Sequence, residues 1–258
     1  MGVCEVKLIA HRGANKRAPQ NTLAAFRVAR EMKIDGFETD VHLTKDGQVV
    51  ICHNPNIDET SNGKGYINDL TYEQLLQFDF GSYFSAEFSD EKIPLLTDFL
   101  DLAAGLEIIN IEIKTPYNKD YSVVDETLKI AADKGLSDHI LISSFDPVVL
   151  RRSKDVDSSV HTALLYDFTK KAYWENRKHL LQHAARLGCS ALHPYKYMIN
   201  EEMIRQAHEA GMVVNCWTVN DVSCARKMQT IGADGLITDV PDRLQAFRDK
   251  EPDIEEAK

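Results

Sequence analysis

Short apolar runs alternate with helical patterns along the chain, and this alternation is the main signal in the sequence. The runs are rich in Val, Ile, Leu and aromatic residues and are bounded by turn-forming residues, which is typical of buried strands. Eight strands are predicted in this way, at residues 7–12, 36–43, 107–114, 140–145, 161–166, 191–196, 213–219 and 235–239.

Helical periodicity fills most of the segments between these strands. Helices are predicted at residues 22–33, 97–104, 120–134, 147–154, 174–186, 201–210, 221–230 and 241–250. Asn is a residue type that caps helix N-termini, and Asn21, Asn200 and Asn220 precede three of these helices. Glycines follow four predicted C-termini, as expected of a helix end, at Gly135, Gly188, Gly211 and Gly232.

The repetition of strand and helix predicts a parallel sheet. Eight units in 258 residues leave about 32 residues for each unit, which is the size of a unit in a closed barrel. We therefore predict an α/β fold, a (β/α)8 TIM barrel, with residues 1–258 forming a single catalytic domain. A doubly wound open sheet is the alternative.

One segment after the second strand departs from this repeat. A turn leads into a further short strand at 49–53, and residues 54–95 then separate that strand from the next helix. Because the segment contains a Gly-rich turn and a short helical pattern at 71–76, it is predicted to be a small insertion subdomain packed on the barrel. Five aromatic residues are predicted to form its core, with contact to a lipid-like group as the alternative: Phe78, Phe80, Tyr83, Phe84 and Phe88.

Two predicted strands carry charged and polar side chains on one face. Side chains alternate along a strand, so every second residue shares a face. In the strand at 36–43 one face carries Glu38, Asp40 and His42, and in the strand at 107–114 one face carries Asn110, Glu112 and Lys114. In a parallel barrel the side that packs on the helices is apolar, and the C-terminal ends of the strands form the catalytic mouth. The two sets are therefore predicted to converge at that mouth.

Three carboxylates, of Glu38, Asp40 and Glu112, would meet there. Clustered carboxylates repel one another unless they are protonated or bridged by a cation, and an all-oxygen ligand set favours Mg²⁺ or Ca²⁺ over Zn²⁺. The alternative is a structural salt-bridge network with Arg12 and Lys114. The residues alone leave both interpretations open.

Histidines at the ends of two predicted strands are candidates for acid-base chemistry, because imidazole titrates near neutral pH. They are His11 after the first strand and His53 after the hairpin strand, and either one alone could also be structural. His42 is predicted to lie behind the ligands or to face solvent. His193 is predicted to line the mouth or to fill an ordinary layer of the barrel.

The composition of the chain limits the binding partners and the cellular compartment that can be expected. Acidic residues exceed basic residues by 40 to 30, and the resulting net charge of −10 disfavours binding to nucleic acid. No apolar stretch is long enough to span a membrane, and the first residues lack the apolar region of a signal peptide. The five cysteines lack CxxC spacing, which favours a reduced protein without a zinc site. We expect a cytoplasmic protein without stable membrane insertion, and no particular oligomeric state is predicted.

Several motifs follow one another in a fixed order: Ile9-Ala10-His11-Arg12-Gly13, Ala18-Pro19-Gln20-Asn21-Thr22, Glu38-Thr39-Asp40-Val41, Thr44-Lys45-Asp46-Gly47, Val49-Val50-Ile51-Cys52-His53 and Ile111-Glu112-Ile113-Lys114. As an ordered set they resemble the glycerophosphodiester phosphodiesterase family. The resemblance covers nearly the whole chain, because later blocks also match: Ile93-Pro94-Leu95-Leu96, Ser144-Phe145-Asp146-Pro147, Trp217-Thr218-Val219-Asn220 and Thr238-Asp239-Val240-Pro241.

This resemblance implies a (β/α)8 barrel with a small insertion after strand two, one divalent cation and a small-molecule substrate. The implied reaction is hydrolysis of a glycerophosphodiester to glycerol 3-phosphate and an alcohol. The family's paired acid-base histidines fall on His11 and His53. Its metal-binding carboxylates fall on Glu38, Asp40 and Glu112.

The resemblance also implies three substrate-binding residues. Arg12 matches the phosphate-binding arginine, Lys114 a basic residue near the phosphate, and Trp217 an aromatic wall of the pocket. Two positions depart from the family pattern: Gln20 stands where Glu is common, and Asn54 where Asp is common. Gln20 can form a hydrogen bond but not an ion pair, which changes the support it can give to Arg12.

The chemistry of a phosphodiester explains why such groups are needed. Cationic groups neutralise the phosphate, and two histidines can remove a proton from the nucleophile and protonate the leaving alcohol. Either the glycerol 2-hydroxyl attacks phosphorus to give a cyclic phosphate, which water then opens, or water attacks directly. A phospholipase-D-like lyase on lysophospholipids and a catalytically silent phosphate-ligand binding protein are the alternative functions.

Overall fold

A single sheet of nine strands carries the fold in the part of the chain that the computed structural model describes, residues 6–167 and 179–249. The strands are β1 (Lys7–His11), β2 (Gly36–Leu43), β3 (Val49–Ile51), β4 (Ile108–Ile113), β5 (Ile140–Ser144), β6 (His161–Tyr166), β7 (Ala191–Pro194), β8 (Val213–Cys216) and β9 (Gly235–Thr238). All eight predicted barrel strands are present, and most end one to three residues earlier than predicted.

The order of pairing closes the sheet. β1 pairs in parallel with both β2 and β9, and each remaining barrel strand pairs in parallel with its neighbours. β3 is antiparallel to the C-terminal part of β2, and Val50 on its other side forms a bridge with Leu95. The result is a closed (β/α)8 TIM barrel extended at one point of its rim by a hairpin, so that fold prediction is confirmed and the open-sheet alternative is wrong.

Helices connect the strands on the outside of the barrel, and one short helix, Tyr72–Leu75, lies in the insertion, where the helical pattern at 71–76 predicts it. They lie at Leu23–Arg30, Tyr72–Leu75, Leu96–Ala103, Ser122–Asp133, Pro147–Val156, Leu180–Arg186, Glu201–Glu209, Val222–Thr230 and Pro241–Arg248. The first residues of the helix predicted at 174–186, and the last residue of the one predicted at 241–250, lie outside the described residues. None of the helices in the described ranges has the length and apolarity of a membrane-spanning segment.

Two of the three predicted asparagine caps are wrong. Asn200 does cap its helix, because its side chain accepts a hydrogen bond from the Met203 amide. The other two helices are capped one residue later, by Thr22 and Asp221. This leaves the side chains of Asn21 and Asn220 available for contacts at the barrel mouth.

The apolar core lies between the barrel and its helices. The rings of Phe26 and Phe99, from two helices, meet at a centroid distance of 4.7 Å, and Phe26 lies 5.3 Å from Phe37 of β2. All three side chains are fully buried. Burial of this kind removes roughly 150–250 Å² of aromatic surface per residue from water, so it fixes the outer faces of the strands and turns their polar faces inward.

The insertion has a core of its own, which includes Ile57, Leu75 and Phe80. Phe78 packs against that core, as predicted, but Tyr83 and Phe84 are exposed. For Tyr83 and Phe84 the predicted core position is therefore wrong. They lie on the surface of the insertion because Phe80 and its aliphatic neighbours already fill the small interior.

Candidate active site

The register between strands assembles the three predicted carboxylates. Asp40 of β2 lies opposite Glu112 of β4, and Glu38 lies two residues before Asp40 on the same face. All three are buried, and one carboxylate oxygen from each lies within 4.8 Å of the others. Such spacing suits a single cation bound by oxygen ligands.

Two cationic side chains lie against the same cluster. Nζ of Lys114 is 2.8 Å from Oδ1 of Asp40 and 2.6 Å from Oε1 of Glu112, and Nε of Arg12 is 3.1 Å from Oδ2 of Asp40. Burial would raise the pKa of Asp40, but Lys114 and Arg12 hold that pKa well below its usual range. The salt-bridge network considered from the sequence is thus present around the carboxylates.

Glu38 differs from Asp40. Burial, and then the negative charge of Asp40, raise the pKa of Glu38 well above its usual value. The pKa of Glu112 is also raised, mainly by burial, although Lys114 partly offsets this. The ammonium of Lys114 and the guanidinium of Arg12 together do not balance the three carboxylates. The residues present therefore fit a divalent cation.

His11 forms a pair with an aspartate from the far end of the chain. Nδ1 of His11 lies 2.6 Å from Oδ1 of Asp239, and Nε2 lies 3.9 Å from Oε2 of Glu38. Because an ionised carboxylate can only accept a hydrogen bond, Nδ1 carries the proton and Nε2 points toward the carboxylates. Burial lowers the pKa of His11, and the bond to Asp239 opposes that shift.

Asp239 is itself held by two amides. Nδ2 of Asn15 donates to Oδ1 at 2.6 Å, and Nδ2 of Asn220 donates to Oδ2 at 2.7 Å. Burial would raise the pKa of Asp239, but His11 and these donors keep it well below its usual range. In the sequence Asp239 stands in one of the family blocks without a predicted role, and only the pairing of β1 with β9 brings it to His11.

His53 follows β3 and has a neutral partner. Its Nδ1 lies 2.8 Å from Oδ1 of Asn54, whose Nδ2 donates to Oε2 of Glu59 at 2.8 Å. Since the side-chain nitrogen of Asn54 donates to Glu59, its oxygen accepts from His53, and Nδ1 of His53 is the donor. Nε2 of His53 has no hydrogen bond to the residues that the structure describes. Burial lowers the pKa of His53 to about 4, although Asp40 acts in the opposite direction.

His42 supports His53 from behind. It is 8% exposed, and its Nε2 lies 3.2 Å from the carbonyl oxygen of His53. Burial lowers the pKa of His42 to about 4, so the ring is neutral at pH 7. Of the two positions predicted for His42, the structure shows the one behind the ligands rather than one facing solvent.

The turn after β1 sets the position of Arg12. Arg12 has a left-handed φ of 56°, and its amide donates to Oε2 of Glu38 at 3.1 Å. Gly13 follows with a φ of 78°, and a Cβ at that position would lie 2.7 Å from the carbonyl carbon of Ala25. Only glycine fits this conformation and approach without strain, and it allows the guanidinium to turn back over the carboxylates.

Gln20 and Tyr83 extend the support of Arg12. Nη1 of Arg12 donates to Oε1 of Gln20 at 2.6 Å. Burial of part of the side chain raises the pKa of Tyr83, and the neighbouring Gln20 acts in the opposite direction. The insertion therefore reaches the surroundings of Arg12 through Tyr83. Asn21 adds a further contact that the sequence analysis missed, because its Nδ2 donates to Oδ2 of Asp40 at 2.8 Å.

Trp217 lies in an aromatic group on the rim. Its ring centroid is 5.7 Å from that of Phe145 and 5.4 Å from that of Tyr195, and its Nε1 donates to the carbonyl oxygen of His193. His193 is fully buried inside the barrel next to Asn215, so it fills a layer of the barrel and does not line the mouth. Trp217 is half-buried, as a wall of a pocket requires.

Comparison with known proteins agrees with this arrangement. The sequence model of the glycerophosphoryl diester phosphodiesterase family matches residues 11–243. The chain belongs to this family. It is a phosphodiesterase that hydrolyses glycerophosphodiesters to glycerol 3-phosphate, and the predictions of family and activity are confirmed.

Individual relatives align over almost their full length. A glycerophosphodiester phosphodiesterase of Caldanaerobacter subterraneus is 34% identical over 92% of this chain and 95% of the relative, and one of Bacillus altitudinis is 31% identical over 95% and 98%. Among solved structures, an Oleispira antarctica phosphodiesterase in complex with the product sn-glycerol-3-phosphate superposes with a TM-score of 0.83, at 27% identity, over 95% of this chain and 97% of that one.

Proposed function

We propose that His11 and His53 are the acid-base pair of this hydrolysis and that Glu38, Asp40 and Glu112 bind one Mg²⁺ or Ca²⁺ ion. The observation that carries the proposal is the position of the two imidazoles. Each has Nδ1 bonded to a side chain; Nε2 of His11 lies 3.9 Å from Oε2 of Glu38, and His53 is close enough to Asp40 for that charge to raise its pKa against burial. A divalent cation bound there would neutralise the phosphate and stabilise charge that grows on its oxygens.

Arg12 and Lys114 bind the phosphodiester anion. Both are tied to Asp40, so their charged groups are held in place before the substrate arrives. Burial alone would lower the pKa of Lys114, but Asp40 and Glu112 raise that pKa by more than this, so the ammonium is charged at pH 7. Groups positioned in advance stabilise the transition state without reorganising.

The partners of the histidines assign their starting roles. Asp239 stabilises a positive charge on His11, so His11 accepts the proton of the attacking hydroxyl. Asn54 offers no charge to His53, but the negative charge of a bound phosphodiester raises the pKa of this imidazole and favours its protonated form. His53 then donates its proton to the oxygen of the leaving alcohol.

Release of glycerol 3-phosphate from glycerophosphoethanolamine tests the metal assignment. We expect activity with Mg²⁺ or Ca²⁺, complete loss in excess chelator, and recovery when the ion is returned. Glu112→Gln should weaken binding of the ion, because it removes one anionic ligand. Full activity in chelator, or wild-type turnover of Glu112→Gln at low metal concentration, would contradict the assignment.

The first nucleophile is tested with a modified substrate. We propose the glycerol 2-hydroxyl, because an attacking group on the same molecule gains a large advantage of proximity over solvent water. A 2-deoxyglycerol phosphodiester should therefore not be cleaved, and phosphorus NMR should detect a transient cyclic phosphate from the normal substrate. Comparable kcat on the deoxy compound would assign the attack to water.

A cytoplasmic location and one catalytic domain over residues 1–258 are also part of this proposal. Free thiols at Cys52, Cys189, Cys216 and Cys224 support a reducing compartment. Chemical labelling of these thiols in protein isolated under non-reducing conditions tests the compartment. A single cooperative unfolding transition for barrel and insertion together tests the domain assignment.

A further inference from the structure

A cavity of about 120 Å³ opens beside the carboxylate cluster, between the insertion and the loop that follows β4. His42 and Lys114 belong to its inner wall, and Lys114 also contacts Asp40 and Glu112. Pro55, two residues after His53, belongs to the same lining. The cavity therefore adjoins the carboxylate cluster through Lys114 and the segment that follows His53 through Pro55.

Polar groups in the cavity wall have hydrogen-bonding capacity to spare. Among residues 6–167 and 179–249, the side-chain amide of Asn68 finds no hydrogen-bond partner. The ammonium of Lys45 finds no ion-pair partner among the same residues. Asn118 uses Oδ1 to accept from the Asp120 amide, at 3.0 Å, and its Nδ2 is left to donate. A ligand in this cavity would therefore meet side-chain amide, ammonium and carboxylate groups in one wall.

The aromatic surface and the charges of the cavity do not suit a quaternary ammonium group. Tyr117 is 64% exposed, but Tyr66 stacks on one side of its ring, with centroids 4.5 Å apart and an angle of 16°. Sites for such cations surround them with several aromatic faces. Lys114 is already paired with Asp40 and Glu112, and the ammonium of Lys45 balances the one carboxylate of the lining, that of Asp120, so the wall has no excess negative charge to attract a cation.

We propose that this cavity binds the leaving alcohol and selects a hydroxyl-rich alcohol, such as glycerol or inositol, over choline. Hydroxyl groups can pair with amide donors, a carboxylate and an ammonium at once, while the free face of one tyrosine covers the carbon skeleton. The inference rests on the proposed role of His53, because the alcohol that His53 protonates must lie on its side of the phosphorus atom.

Steady-state kinetics with four glycerophosphodiesters test the inference. The leaving alcohols are inositol, glycerol, ethanolamine and choline, and release of glycerol 3-phosphate measures every reaction. The wild-type enzyme should prefer the inositol and glycerol esters to the choline ester by at least about tenfold in kcat/KM. Asn68→Ala should lower kcat/KM for these two esters about three- to tenfold, the value of one hydrogen bond, and leave the choline ester within about twofold.

Asn56→Ala is the matched control. Asn56 is a half-buried asparagine of the same insertion that does not line the cavity, so its variant should treat all four esters as the wild-type enzyme does. A wild-type preference for the choline ester, or an equal loss on all four esters in Asn68→Ala, would overturn the inference and leave the proposed function intact. Absence of hydrolysis of every ester by the wild-type enzyme with metal would overturn both.

Discussion

His11 and His53 lie beside the same carboxylate cluster but belong to two differently built parts of the molecule. His11 stands at the end of a barrel strand, and its partner Asp239 is a carboxylate held by Asn15 and Asn220. His53 stands where the insertion begins, and its partner is the amide of Asn54. The barrel thus supplies a fixed charge and the insertion a neutral support, which suits one imidazole to gain a proton and the other to lose one.

The largest effect should come from removing either imidazole. His11→Ala and His53→Ala should each lower kcat by at least ~10²-fold, because each removes a positioned acid or base. The double variant should lose less than the product of the two losses, since both act in one proton-transfer cycle. Turnover is measured on folded protein, checked by circular dichroism.

The exposed His161 provides the matched control for these variants. His161→Ala removes an imidazole at the opposite, N-terminal end of a barrel strand, and its kcat should stay within about twofold of wild type. A normal kcat in His11→Ala or His53→Ala would remove that residue from the acid-base pair.

A smaller effect should follow from removing the charge beside His11. Asp239→Asn should lower kcat about 10- to 100-fold, the usual range when a group that orients a functional side chain is lost. Asp239 raises the pKa of His11 against the effect of burial, so without it the acidic limb of the kcat/KM profile should move to lower pH. Asp242→Asn neutralises a nearby exposed aspartate that pairs with Arg17, and it should change neither quantity. An unchanged acidic limb in Asp239→Asn would show that His11 is not the base.

The smallest effect should come from giving His53 a charged partner. In the double variant Asn54→Asp, Glu59→Gln, the donor and acceptor of their shared hydrogen bond exchange places and the net charge is kept. A carboxylate next to Nδ1 raises the pKa of His53, so the alkaline limb of the pH profile should move up by about one pH unit, with less than tenfold change in kcat at pH 7. Glu59→Gln alone is the control and should leave the limb in place. A shift of the acidic limb instead would exchange the roles of the two histidines.

The fold and part of the site could be predicted from the sequence because both depend on local patterns. Apolar runs of strand length mark the barrel strands, and alternation along β2 and β4 places Glu38, Asp40 and Glu112 on inward faces. Their positions required no knowledge of distant contacts. The resemblance to a known family paired His11 with His53 as acid and base, gave Arg12 and Lys114 their substrate-binding roles, and added Trp217.

Local rules failed where a distant contact competes with them. Asn21 and Asn220 have the residue type and position of helix caps, yet their side chains bind Asp40 and Asp239, and the next residue caps the helix. A capping bond contributes about 1 kcal/mol, and a neighbouring Thr or Asp can supply it equally well. The asparagines are then free to donate to the fully buried carboxylate of Asp40 and the partly buried one of Asp239, whose need for donors is greater.

The sequence by itself determined which side chains point inward and which chemistry they offer, because strand alternation and residue type are properties of the chain. Only the tertiary structure decided which groups become partners. His11 and Asp239 are 228 positions apart and meet because β1 pairs with β9 when the barrel closes. The cavity beside His42 and Lys114 likewise exists only because the insertion and the loop after β4 face each other across the rim. The repeat of strand and helix predicts that the barrel closes, but the side chains that meet where it closes depend on the register between strands far apart in the sequence, which the local pattern does not determine.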